Sequence, residues 1–275
     1  MAYETIETDR RADGRITVVR LARPDRNNVI DRTLLAELTA AVETADRAAD
    51  VDAIVVGCTE PPFCTGASLE ELVDLGFEAG ARWMTAYFET LDRLRKTGKP
   101  VVAAVEGTCV AGGHELVMAC DLVVAGESAR FGQPEVGVGS TAGGGGLQLL
   151  PLMVGEKRAR DLLLTGRLLD AEEAREWGLC NRVVDDGTAE DEALALSTTI
   201  IDEKSPQAYR TIKAMLKPWT NLALVNEEMA RDTTARIWAS EEFQERAAAF
   251  LAKEEQSPGS FQGTLPTPEE GDECG

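Results

Sequence analysis

The chain has 275 residues, 44% of them hydrophobic, and a formal net charge of −20 at pH 7. This is enough apolar material for a large core, in one big domain or one domain with a small appendage. A surface this negative repels nucleic acid and anionic membranes, so neither is expected as a partner. Lysine is scarce, at 7 of the 28 basic residues. Such a strongly hydrated acidic surface fits a salt-rich cytosol, and a salt-adapted, cytoplasmic protein is expected.

In chain order, ITVVRL at 16–21 is a short β-branched run and predicts a strand. Residues 24–28 are turn-like. From 31 to 49, Leu34, Leu35, Leu38, Ala41, Val42 and Ala45 recur at helical spacing. DAIVVG at 52–57 predicts a buried strand, and TEPPFCTGAS at 59–68 a loop running into a helix, with Ser68 as N-cap. The stretch 83–95 predicts a helix stopped by Thr97-Gly98-Lys99-Pro100, while 76–83 reads as loop. VVAAV at 101–105 is another buried strand, Gly112 opens a short helix, and 122–125 is a further strand.

After Pro151 helices dominate, at 156–164, 171–177, 189–203, 206–216, 222–237 and 241–253, with 182–184 as a last strand. Continuously apolar strands separated by helices indicate an α/β layered fold. Residues 256–275 are acidic and rich in Pro and Gly, as in a disordered tail.

The six cysteines, Cys58, Cys64, Cys109, Cys120, Cys180 and Cys274, form no C-x-x-C and mostly sit in apolar runs, as reduced thiols packed like small hydrophobes. No stretch approaches the ~18 apolar residues of a membrane span, and the N-terminus lacks an apolar signal region. His114 is the one histidine. A multi-histidine zinc site is thereby excluded, and His114-Glu115 fails as H-E-x-x-H because position 118 is Met118. No metal site is read. The G-x-G-x-x-A letters at 137–142 do not follow a clean apolar strand and are not taken as a dinucleotide site.

Chemistry concentrates between Cys109 and Gly146. Glu115 follows a Gly-Gly pair at a helix start, Glu135 lies twenty residues on, and Gly143 to Gly146 are four glycines in a row. Two carboxylates beside exposed backbone N–H groups suit acid/base chemistry on a carbonyl compound. Taken singly, each has a plainer reading: Glu115 as a first-turn carboxylate stabilised by the helix dipole, Glu135 as a surface loop acid.

Four motifs occur in order: FCTGASL (63–69), VAGGHEL (110–116), FGQPE (131–135) leading into the glycine run, and LTGR (164–167) followed by AEEAREWGL (171–179). Together, over roughly residues 10–255, they resemble the crotonase superfamily, the enoyl-CoA hydratase/isomerase family. The resemblance implies a ββα spiral catalytic core at 1–195 and a helical oligomerisation region at 196–255 that builds homotrimers, often paired into hexamers. It implies an acyl-CoA substrate, with coenzyme A entering as part of that substrate and no separate cofactor. The oxyanion-hole N–H groups fall on Ala67 and Gly112, the general base and acid on Glu115 and Glu135, and a water-positioning N–H on Gly143.

Arg26, Val29, Ser68, Leu69, Phe250 and Lys253 fall at substrate- or CoA-binding positions, the last two in an F-x-x-K that reaches a neighbouring subunit's CoA. His114 is expected to be structural or to line the pocket. Several residues depart from the family pattern: Val29 for a small residue, Ser68 for Asp, Ala111 for the first glycine of a triplet and Ala142 for proline. The implied activity is hydration of an α,β-unsaturated acyl-CoA. The alternative is C–C bond or isomerisation chemistry on a cyclic or aromatic acyl-CoA, like dihydroxynaphthoyl-CoA synthases, whose members usually lack a glutamate at the position of Glu135. A non-catalytic RNA-binding role is opposed by the net charge.

Overall fold

The computed structural model describes residues 3–255. Its elements in order are β1 (Ile6–Arg11), β2 (Ile16–Leu21), α1 (Arg32–Arg47), β3 (Ala53–Cys58), α2 (Leu69–Leu72), α3 (Phe77–Lys96), β4 (Val101–Val105), β5 (Thr108–Val110), α4 (Gly112–Met118), β6 (Leu122–Gly126) and β7 (Arg130–Gly132). A 3₁₀ turn at Pro134–Val138 leads to α5 (Gly146–Val154), α6 (Glu156–Thr165), β8 (Leu168–Asp170), α7 (Ala171–Glu176), β9 (Arg182–Val184), α8 (Ala189–Glu203), α9 (Pro206–Ala223), α10 (Glu227–Trp238) and α11 (Glu241–Ala252).

The larger sheet has the order β1-β2-β3-β4-β6-β9, parallel except for the β1–β2 pair. Strand alternation divides its side chains between two cores. Ile54, Val56, Val101, Ala103 and Val105 face α1 and α3, whereas Ala53, Val55, Val102 and Ala104 face Ala189, Ala193 and Ile201 of α8. Both faces are covered, which is why these strands read as unbroken apolar runs. The smaller sheet, β5-β7-β8, takes one strand from successive turns of the chain. Isolated bridges Ile30–Ala67 and Cys64–Cys109 extend that layer. The α/β architecture with a helical C-terminal region is therefore as expected.

Helix α1 buries the six apolar residues its spacing predicted, and the Asp31 carboxylate caps it by accepting from Leu34 N at 2.8 Å. Three expectations change. Residues 77–83 are helical, because Gly80 lets α3 approach Ala235 and Trp238 of α10 closely, and that packing outweighs the poor helix propensity of glycine. Pro151 lies inside α5 instead of preceding the helices. The boundary at 195/196 falls within α8, one continuous helix packed on the sheet. The edge strand β1 and the three-residue strands β5, β7 and β8 have no apolar run to announce them. The tail at 256–275, including Cys274, lies outside the described residues. No helix among the described residues is long and apolar enough to cross a membrane.

Candidate active site

Two loops and the start of α4 meet above the sheet. Ile30 N donates to Gly66 O and Ser68 N donates to Ile30 O, both at 2.8 Å. This bridge uses the groups either side of Ala67 and turns the Ala67 N–H away from it, toward the cavity that Ala67 lines. Gly112 is the first residue of α4, so its N–H has no intrahelical acceptor. Ala111 before it has φ 53° and ψ −129°, a conformation that strains a residue with a Cβ. Close approach locks the two loops together. A Cβ on Gly66, itself at φ +99°, would lie 2.7 Å from Ala111 Cβ, and one on Gly113 would meet Cys64. Ala67 and Gly112 thus offer two backbone donors to one cavity of about 920 Å³.

Glu115 lies one turn into α4 and is 3% exposed. Its Oε1 accepts from Gly146 N at 2.9 Å, its Oε2 faces the Tyr87 hydroxyl at 3.1 Å, and the Gly144 N–H also donates to it. The one Tyr87 hydrogen has a second acceptor within reach, Gly112 O at 2.7 Å. Gly146 opens α5, whose dipole favours the carboxylate. Burial outweighs these donors and raises the Glu115 pKa to about 7. Glu135, on the 3₁₀ turn, lines the same cavity. Burial first, and then the Glu115 charge, push its pKa well above the usual carboxylate range. Gln133 is 1% exposed and, with its amide nitrogen turned toward Glu135, donates to Oε1 at 2.8 Å and to Oε2 at 3.3 Å. Burial thus disfavours ionisation of both carboxyls, and a charge on Glu115 opposes one on Glu135, so the pair holds a proton more firmly than two free carboxylates would.

The sequence and the fold have close counterparts among known proteins. The sequence profile of the enoyl-CoA hydratase/isomerase family matches residues 11–260. The chain belongs to the enoyl-CoA hydratase/isomerase family. It is 35% identical over 253 residues to a "probable enoyl-CoA hydratase" of Rhizobium meliloti, covering 92% of this chain and 97% of that one. A "probable enoyl-CoA hydratase echA8" of Mycobacterium bovis is 35% identical over 254 residues, with the same coverage. Among solved structures, an enoyl-CoA hydratase/isomerase from Xanthobacter autotrophicus Py2 superposes with a TM-score of 0.82 at 30% identity, covering 91% of this chain and 94% of that one.

Within this family member, Arg26, Val29, Ser68, Leu69 and Phe250 join Ala67, Gly112, Glu115, Glu135 and Gly143 in lining the cavity. Arg26 is paired with Glu70 at 2.7 Å. Ser68 sits at the N-cap position of α2 without its side chain capping the helix. Phe250 is 55% exposed. Lys253 is not among the lining residues; it caps the end of α11 at φ 57° and is exposed. Gly143 differs from expectation. Its N–H donates to Thr141 O at 2.8 Å, so it is committed within its own turn and not directed at a water. His114 is fully buried against Phe131 and absent from the lining, and burial lowers its pKa to about 4, so it is a neutral packing group.

The cysteines at 58 and 64 are likewise packing groups, with thiol pKa values raised by burial to about 12. The G-x-G-x-x-A stretch begins in a 3₁₀ turn and runs into a loop, which is no dinucleotide fold. Sequence reading missed Tyr87, Gln133, Gly144 and Gly146, the groups that hold the two carboxylates. Tyr87 sits on the buried stripe of α3 and reads there as core; Gln133 adjoins Pro134-Glu135 but carries no charge to mark it.

Proposed function

We propose that the protein is an enoyl-CoA hydratase. Glu115 and Glu135 lining one cavity beside the Ala67 and Gly112 N–H groups support this reading, and burial raises the pKa of both carboxyls. The thioester oxygen of an α,β-unsaturated acyl-CoA accepts from those two donors. Glu115 takes a proton from water as the water oxygen bonds to the β-carbon. The electron pair of the double bond moves onto the thioester oxygen as an enolate, and Glu135 delivers its proton to the α-carbon. Proton return from Glu115 to Glu135 resets the pair.

One oxyanion donor is worth ~10²–10³ in rate, and each acid/base group ~10²–10⁴. Enoyl-thioester absorbance loss with crotonyl-CoA tests this. Wild type turns over, while Glu115→Gln and Glu135→Gln each lose at least about a hundredfold; unchanged rates in Glu135→Gln would refute it. The presence of Glu135 favours hydration over the ring-directed alternative.

The assembly proposed is a homotrimer or hexamer. Its support is the α9 face, where Ile212, Met215, Leu216, Trp219 and Leu222 are 57–69% exposed, with Val225 and Met229 beyond. An apolar patch of this kind on a protein so acidic calls for cover by a copy of itself. The salt-adapted, cytoplasmic setting is proposed from the charge of −20.

A further inference from the structure

One wall of the cavity is polar in a way the hydration mechanism does not use. Thr234 and Trp238 are four residues apart on α10 and face the loop between Val138 and Gly143. Trp238 Nε1 donates to Ser140 Oγ at 2.8 Å, and the Thr141 and Thr234 hydroxyls pair at 3.2 Å. Thr234 packs directly on Gly143, whose neighbour Gly144 contacts both Tyr87 and Glu115, so this wall adjoins the reacting groups. Around it the lining is apolar, with Leu72, Trp83, Met84 and Phe243.

A hydroxyl has one hydrogen to give. Ser140 accepts from Trp238 and still has its own hydrogen; of the two threonine hydrogens, their mutual bond uses one. Among the described residues no protein acceptor takes the remaining two. Solvent can satisfy them in the free protein. A hydrocarbon acyl chain would strip that water and leave them unpaired, at about a tenfold cost for each.

We infer that the acyl group this site takes carries a neutral hydrogen-bond-accepting oxygen, a hydroxyl or a keto group, beyond the reacting double bond. A carboxylate is disfavoured, because among the described residues the one basic side chain in the lining is Arg26, which is exposed and paired with Glu70. One oxygen can accept both hydrogens, and an oxygenated chain answers a site built to hydrogen-bond it far better than its hydrocarbon analogue does.

This rests on the acyl-CoA reading of the site, so binding and turnover are measured separately. Calorimetry compares hexanoyl-CoA with hexanoyl-CoA hydroxylated at the fourth or fifth carbon; hydration rates compare the matching trans-2-enoyl thioesters. The expected result is at least a tenfold tighter Kd for one hydroxylated form, and about a hundredfold higher kcat/KM for its enoyl counterpart. Both preferences should shrink to within threefold in the triple variant Ser140→Ala, Thr141→Val, Thr234→Val, which removes every hydroxyl of the wall and whose melting temperature confirms the fold. A binding preference without any hydration would retain the polar wall and reject the hydratase reading. Equal binding of all three thioesters, no binding of any, or a preference that survives the triple substitution would overturn the inference.

Discussion

Glu115→Gln should inactivate the enzyme and stabilise it, by an amount set by pH. The buried carboxyl has a folded pKa of about 7 against an ordinary glutamate value of 4.5. Between those values the unfolded chain releases a proton that the folded protein keeps, so stability falls as pH rises and levels off above the folded value. Each pH unit is worth about 1.4 kcal/mol, which puts the whole cost on the order of 3 kcal/mol. Glutamine reproduces the protonated acid. Its oxygen can accept from Gly146 N where Oε1 now does, and its NH₂ can donate to the Tyr87 oxygen while Tyr87 donates to Gly112 O. The part of the Glu135 rise caused by Glu115 disappears as well, in the same direction. Thermal melts of both proteins at equal concentration and constant salt, at pH 5.5, 6.5 and 8, measure the difference. The advantage of the variant should grow by about 2 kcal/mol between pH 5.5 and 8, or roughly 5 °C, with most of it gained before pH 7. A difference independent of pH, or one that shrinks as pH rises, would refute the reasoning.

Other substitutions probe the frame around the pair. Tyr87→Phe removes a hydroxyl that lowers the Glu115 pKa, so kcat should fall about tenfold or more and the acidic limb of the kcat/KM profile should move to higher pH; an unmoved limb would make Tyr87 a pocket wall only. Ala111→Gly relieves the positive φ and should stabilise by about 1 kcal/mol in denaturant melts, whereas Gly66→Ala meets Ala111 Cβ and should destabilise and inactivate. Trp219→Glu with Leu222→Glu places charge on the exposed α9 face and should lower the mass seen by light scattering; an unchanged mass would remove that face from the interface.

Periodicity made the large elements legible. Leu34 through Ala45 named the buried face of α1 residue by residue, and VVAAV at 101–105 named a strand covered on both sides. The ends and the short pieces were less legible, because tertiary contact decides them. Gly80 looks like a helix breaker until Ala235 and Trp238 lie against it, and IETDRR shows no apolar pattern because β1 is an edge strand with most of its side chains exposed. The same holds at the site. Glu115, Glu135, Ala67 and Gly112 stand in recognisable motifs, but Tyr87 and Gln133 act through geometry that joins distant segments. The Gly143 N–H shows the limit of motif reading, since a two-residue turn onto Thr141 O redirects a donor without changing any letter.

The most direct test of the central claim is hydration of crotonyl-CoA in D₂O at high KCl, followed by NMR of the product. The account predicts a 3-hydroxyacyl thioester with one deuterium on the α-carbon, delivered through Glu135, and loss of that product in Glu135→Gln. Crotonyl-CoA recovered unchanged, or deuterium entering the γ-carbon with no hydroxyl product, would contradict it.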